Sequence, residues 1–430
     1  MNDVQMKIKT RFIIDSAMSD VIIKHDEDFV EIHLPKSSMV YQISDLPKYI
    51  FRMGEFEVIS EDDHERVQFV NLIAFLRVFF SSGKRLSDKM NKENHSYLSD
   101  AEPHIRENVA EFTRMNAGGK FFRGTLVNIG FLLFSSEDIA YSDQLALAYE
   151  LFQTAILIHD DIIDHATVRR NQLTIPESYI HRWKNNGCVR TNEMMDTANS
   201  MALCAGDIGL FFSIRKIVSA YADSLELAKI LQYYIDVVIK TIKGEVIDVI
   251  LPYKEKQKIC LSHDVYNSVL EIYKLKTAWY TVIGPLCSGA ILGKCSIEHL
   301  RLLEEFAEYL GIAFQIQDDI LGIFRNTEAI GKDSGSDIAE FKTTILYSYV
   351  KNKEEYFREL LKYYGKLTSP ESIIAVRDIF VSSGALAFAK EKMDDYLNKS
   401  LLMLSKMDFL SEENKNLLYG MIFYLKTREK

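Results

Sequence analysis

The stretch Gln144-Leu145-Ala146-Leu147-Ala148-Tyr149-Glu150-Leu151-Phe152-Gln153-Thr154-Ala155-Ile156-Leu157-Ile158-His159-Asp160-Asp161-Ile162-Ile163-Asp164 is apolar on nearly every side until its last turn. A helix of that kind is buried inside a larger helical protein. Its end is the informative part. Asp160 and Asp164 are four residues apart, so on a helix their carboxylates lie on one face, one turn apart. Like charges at that spacing repel, and apolar neighbours add a desolvation cost. Something cationic must offset them, and hard divalent cations prefer oxygen ligands.

A second acidic pair closes another apolar segment, in Gln315-Ile316-Gln317-Asp318-Asp319-Ile320. Helix ends often carry acids as solvated caps, but two such pairs ending apolar helices point to one shared cavity. Mg2+ keeps several waters and binds through a few carboxylates plus substrate phosphates, so a polyphosphate is the natural ligand. Local cations match it: Gly118-Gly119-Lys120-Phe121-Phe122-Arg123, then Arg169-Arg170, Lys276-Thr277, Gly331-Lys332 and Lys342. Each alone reads as a surface charge. Arg suits bidentate phosphate contacts, while Lys acts as a point charge.

The rest of the 430 residues bounds the answer. A formal charge of −10 argues against nucleic acid as the main partner. Seven prolines is few, which suits long helices. Five cysteines with no CxxC spacing read as reduced thiols. The N-terminus lacks a signal pattern, and no apolar run is long enough for a transmembrane helix. A soluble, cytoplasmic protein is expected. Leu225–Val249, Val265–Ile283 and Ile297–Ile323 read as further long helices. Residues 171–200 read as a polar loop with a short helix, and residues 81–100 as a polar connection. A helix is expected through Val67, Val70, Ile73, Leu76 and Phe79. Val21–His25 and Phe29–Leu34, around Asp26-Glu27-Asp28, suggest a β-hairpin. The expected fold is all-α, with an N-terminal extension over 1–62 and one domain over 63–430.

In order along the chain, Gly118-Gly119-Lys120-x-x-Arg123, Gln153, Asp160-Asp161-x-x-Asp164, Arg169-Arg170, Gly206-Asp207, Gly244-Glu245 with Asp248, Lys276-Thr277, Phe314-Gln315-Ile316-x-Asp318-Asp319 and Gly331-Lys332-x-x-Gly335-Ser336-Asp337 resemble the trans-polyprenyl diphosphate synthases. The resemblance implies a helical bundle around a central cavity, a homodimer, and three Mg2+ ions per active site. It implies condensation of isopentenyl diphosphate with an allylic diphosphate. By the same resemblance, Asp160, Asp164 and Asp318 hold the metal, supported by Asp161 and Asp319. Arg169, Lys276 and Lys332 bind the allylic diphosphate, and Lys342 is a further substrate-binding residue. Lys120, Arg123 and Arg170 grip isopentenyl diphosphate, with Gln153 beside it. Thr277 and Gln315 face the developing carbocation.

Three positions depart from that pattern: Gly322 replaces a third aspartate, Asn171 a glycine after the arginine pair, and Phe341 a glycine before Lys342. The first departure implies weaker metal binding. Where such enzymes stop early, a bulky residue commonly stands at the position of Ala155 or Ile156. The small Ala155 therefore implies products longer than C15, C20 or somewhat more, with Phe152 one turn deeper as a candidate floor or a plain core residue. Three other readings compete: a His-Asp phosphohydrolase prompted by His159-Asp160, a class I terpene cyclase, and a weakly active or non-catalytic subunit of a heteromeric synthase. The cyclase has no need of Lys120, Arg123 and Arg170, and the phosphohydrolase needs further histidines.

Overall fold

The computed structural model describes residues 6–14, 17–25, 29–34, 37–42, 63–257, 264–324, 335–366 and 369–427. Strands β1 (Met6–Ile14), β2 (Ala17–His25), β3 (Phe29–Leu34) and β4 (Ser37–Gln42) pair antiparallel in chain order. The expected hairpin is the β2–β3 pair, with Ile22 opposite His33 and His25 opposite Val30. Its turn, Asp26–Asp28, lies outside the described residues. The flanking strand β1 carries its own signal, since Lys7, Lys9 and Arg11 alternate with Ile8, Thr10 and Phe12.

From residue 63 the chain is helical in the main. Helix α1 (Asp63–Asp100) corrects the expected connection over 81–100. Leu86, Met90, Asn94 and Tyr97 are all buried, at spacings of four, four and three that hold one face. Only that face is apolar, so the segment's polar composition hid the helix. Asn94 also accepts from Asn116 Nδ2 at 2.9 Å. Of the expected row through Phe79, Leu76 and Phe79 are buried; the side chains of Val67, Val70 and Ile73 lie outside the description.

Next come α2 (Arg106–Asn116), α3 (Phe122–Leu132) and α4 (Asp143–Ile163). Leu145, Ala148, Leu151 and Phe152 of α4 have no exposed surface, as the all-round apolar reading expects. At its start Asp143 takes Arg85 Nε and Lys89 Nζ, each at 2.8 Å, and Asn128 Nδ2 at 2.7 Å. Burial opposes that charge, but Arg85, Lys89 and Asn128 hold the carboxyl below its usual range.

A short ribbon follows, β5 (Val168–Arg169) and β6 (Gln172–Leu173), then α5 (Ile175–Asn185) and α6 (Asn192–Ala220). The polar loop expected over 171–200 is thus mostly helix. Thr191 starts α6 by accepting Met194 N at 3.1 Å, a side-chain cap readable in the sequence. Helices α7 (Leu227–Lys256) and α8 (Val265–Ile272) lead into a π-helix, Tyr273–Ile283. Helices α9 (Gly284–Leu292) and α10 (Ile297–Phe324) complete the centre. The C-terminal part holds α11 (Ser336–Ala339), α12 (Ile345–Lys351), α13 (Glu354–Leu360), α14 (Pro370–Ser382), α15 (Ala385–Ser405) and α16 (Glu412–Thr427). Among the described residues no single helix is long and apolar enough to cross a membrane.

Candidate active site

The last turn of α4 carries the first acidic group, and three cations meet it. Arg169 on β5 donates to Asp160 at 2.9 Å and to Asp161 at 2.5 Å. It is aimed there by the β5–β6 turn, whose Arg170 and Asn171 are left-handed, with φ of 53° and 60°. Lys276, from the π-helix, lies 3.2 Å from Asp160, 2.9 Å from Glu245 and 2.5 Å from Asp248. Lys342 lies 3.5 Å from Asp164, 3.5 Å from Asp337 and 3.3 Å from Glu340.

These pairings divide the aspartates. Burial works against a charge on Asp160, but Lys276, Lys342 and Arg169 hold its carboxyl low. Asp161 is pushed up to about 6 by burial, against the pull of Arg169, and its buried Oδ2 has no hydrogen-bond partner. Asp164 is raised by burial and by Asp160, although Lys342 opposes the shift. Burial disfavours the charge on Lys276, yet Asp248, Asp160 and Glu245 keep it firmly protonated.

The second group lies on α10 and joins the same network. Thr277 donates to Gln315 at 2.6 Å, and Gln315 donates to Asp319 at 2.8 Å. Tyr273 donates to the other oxygen of Asp319 and accepts Ile345 N at 2.8 Å. Burial pushes Asp319 up to about 8, with Asp337 and Asp318 adding to it while Tyr273 and Gln315 oppose. Asp318 is partly exposed beside it. One chain of contacts therefore runs from Asp160 through Lys276 and Thr277 to Asp319, and another from Asp164 through Lys342 to Asp337.

A cluster of cations flanks this network. Arg123 is 8% exposed. It donates to Thr281 at 2.8 Å, lies 4.2 Å over the Tyr280 ring, and its Nε has no partner. Arg170 donates to the Gly118 carbonyl at 3.0 Å. Lys120 is exposed on the same glycine loop. Buried Glu150 accepts Gly124 N at 2.7 Å under these arginines, and burial raises its pKa against their pull. Gln153 is partly exposed on α4. Lys332 lies outside the described residues.

Residues 105–380 match the family model for polyprenyl synthetases. The chain belongs to that family. It is a prenyltransferase that elongates prenyl chains. A short chain isoprenyl diphosphate synthase of Methanothermobacter thermautotrophicus is 28% identical over 343 residues, covering 76% of this chain and 94% of the relative. A geranylfarnesyl diphosphate synthase of Aeropyrum pernix is 27% identical over 323 residues, covering 74% and 92%. The fold matches a Corynebacterium glutamicum geranylgeranyl pyrophosphate synthase solved with isoprenyl diphosphate and magnesium, at a TM-score of 0.71 and 24% identity, covering 82% of this chain and 99% of that one.

Within this synthase, Ala155 is buried and Ile156 partly exposed. Phe152 packs edge-on against Tyr234 and Tyr280, at 5.8 and 6.2 Å between ring centres. His159 turns toward α6, its Nε2 3.3 Å from the Leu203 carbonyl and 3.4 Å from Asp207. Among the described residues no three His, Cys, Asp or Glu side chains form a metal-holding group by themselves. Glu150, Tyr273, Tyr280, Thr281 and Glu340 were not singled out by the sequence. Glu245, Asp248 and Asp337 entered only through the resemblance, without a role.

Proposed function

We propose that the protein is a Mg2+-dependent trans-polyprenyl diphosphate synthase that joins isopentenyl diphosphate, head to tail, to an allylic diphosphate. The observation that carries this reading is the run of contacts that joins Asp160 to Lys276 and, through the adjoining Thr277 and then Gln315, reaches Asp319 of the second acidic group. The donors suit magnesium. All are oxygens, and Asp161 keeps an unpartnered buried oxygen. Such a set fits an ion that keeps its waters and shares phosphate oxygens. Asp160, Asp164 and Asp318 serve as ligands, backed by Asp161 and Asp319, for three ions per site. When bound, magnesium supplies positive charge to the departing diphosphate.

The chain's own groups do the rest. Arg169, Lys276 and Lys342 exchange carboxylate for phosphate partners and, with Lys332, stabilise the charge that grows as the allylic C–O bond breaks. Lys120, Arg123 and Arg170 hold isopentenyl diphosphate with Gln153 beside it; the free Nε of Arg123 is a donor ready for a phosphate oxygen. Thr277 and Gln315 place oxygens near the carbocation. The aromatic walls Phe152, Tyr234 and Tyr280 exclude water that would trap it, and two held substrates react as if joined. The final proton leaves with the diphosphate.

Ala155 leaves room for products longer than C15, C20 or somewhat more, with Phe152 as the next obstacle. Residues 63–430 make the synthase domain and residues 1–62 an extension. A second copy covers the exposed apolar rows Leu203, Phe211 and Val218 of α6 and Ile239, Ile242, Val246 and Tyr253 of α7, giving a homodimer. The test is incubation of purified protein with isopentenyl diphosphate, Mg2+ and C5, C10 or C15 primers, followed by chromatography of dephosphorylated products. New chains longer than the primer are expected; unextended primers in every case refute the reading.

A further inference from the structure

The ribbon β5–β6 is a slight element for what it carries. Val168 stands opposite Leu173 and Arg169 opposite Gln172, and Arg170 and Asn171 close the turn, both left-handed. A two-residue hairpin turn of that kind favours glycine at its second position, and a two-stranded ribbon is marginal unless something packs on it. Yet Arg169 reaches the first acidic group from here, and Arg170 the Gly118 carbonyl. Such a ribbon needs a brace from outside.

Helix α2 provides one. Arg114, in its last turn, donates through Nη1 to the Gln172 side chain and through Nη2 to the Leu173 carbonyl, each at 3.0 Å. Both contacts fall on β6, and one is on the residue opposite Arg169. The guanidinium is itself held, since its Nε and Nη2 donate to Oε2 of Glu111 at 3.0 and 2.7 Å. Glu111 is 6% exposed. Its other oxygen accepts Ser178 Oγ of α5 at 3.1 Å and lies 3.2 Å from Arg182. One buried carboxylate therefore pins both the brace and the helix into which β6 runs.

We propose that Arg114 is a positioning residue for both diphosphate sites. By fixing β6 it sets where Arg169, on the opposing strand, and Arg170, in the turn, present their guanidinium groups. The assignment rests on the synthase reading of the site. Arg114 acts through the ribbon, not on the substrates. A lysine at 114 separates this role from a purely structural one: it keeps a cation beside Glu111 but lacks the planar fork that also reaches Gln172 and Leu173.

The experiment uses the full chain with Mg2+, isopentenyl diphosphate and a C15 allylic diphosphate. Wild type, Arg114→Lys, Gln172→Ala and the double variant are compared by steady-state kinetics, each with its melting temperature. In Arg114→Lys the KM for isopentenyl diphosphate is expected to rise about fivefold through Arg170, and kcat to fall by a similar factor through Arg169, as loss of one or two hydrogen bonds allows. Its melting temperature stays at that of wild type. Gln172→Ala is expected to shift both constants the same way by about twofold and to add nothing in the Arg114→Lys background, because the two side chains share one contact. Wild type that extends no primer overturns both this assignment and the reading beneath it. Active wild type, with Arg114→Lys unchanged in KM and kcat, overturns this assignment alone, as does a Gln172→Ala effect that adds in full to Arg114→Lys. Should Arg114→Lys fail to fold, Gln172→Ala decides: unchanged KM and kcat overturn the proposal.

Discussion

Asn171 and Phe341, the two residues that stand where the sequence pattern commonly has glycine, both occupy left-handed backbone, with φ of 60° and 64°. Asparagine enters that region readily, whereas phenylalanine is strained there. The Phe341 ring is 5% exposed, so its burial offsets the strain. Phe341→Ala is expected to destabilise by about 3 kcal/mol, the low end for a buried phenylalanine, while Asn171→Gly stays within about 0.5 kcal/mol. Denaturant unfolding measures both. A second expectation concerns pH. Asp319 has a folded pKa of about 8, raised first by burial, against a usual value near 4. The folded protein therefore holds a proton that the unfolded chain releases, so this stabilising contribution is complete below about pH 4 and is lost as pH rises through about 8. In EDTA, melting temperatures of wild type should fall over this range more steeply than those of Asp319→Asn. Parallel curves would contradict the assignment.

Among the elements, the π-helix Tyr273–Ile283 matters most, because Lys276 and Thr277 reach opposite acidic groups from it. Its seat on α7 depends on Gly244, where an added Cβ would lie 2.2 Å from the Lys276 backbone nitrogen. Gly244→Ala is expected to cost about 1–3 kcal/mol, the range for overpacking, and to lower turnover by displacing Lys276. Thermal unfolding and steady-state rates check the two effects. Helix α4 was legible in the sequence because it is apolar all round and ends in acids whose repulsion demands an explanation. Helix α1 was legible only to residue 80, since Leu86, Met90 and Tyr97 sit singly among polar neighbours. Nor does a sequence show that Tyr273 caps Asp319, or that Glu150 lies under Arg123: these contacts come from segments far apart in the chain. The ordered motifs named most of the site residues, Glu245 and Asp248 among them; that these two pair with Lys276, and that Glu340 pairs with Lys342, became visible only in three dimensions.

For the molecule as a whole, the functional consequence is product length. Ala155 and Phe152 follow α4 away from the acids, and one helical turn, about 5.4 Å, is close to one isoprene unit. Ala155→Phe is expected to shorten the main product by at least one C5 unit, read by chromatography of the dephosphorylated chains; unchanged length would remove Ala155 from the floor. The most direct measurement of the whole is a crystal structure with Mn2+ and an unreactive allylic diphosphate analogue, its ions located by anomalous scattering. The expected result is one diphosphate with ions touching Asp160, Asp164 and Asp318 together. Ions confined to one acidic group, or a diphosphate bound away from both, would contradict it.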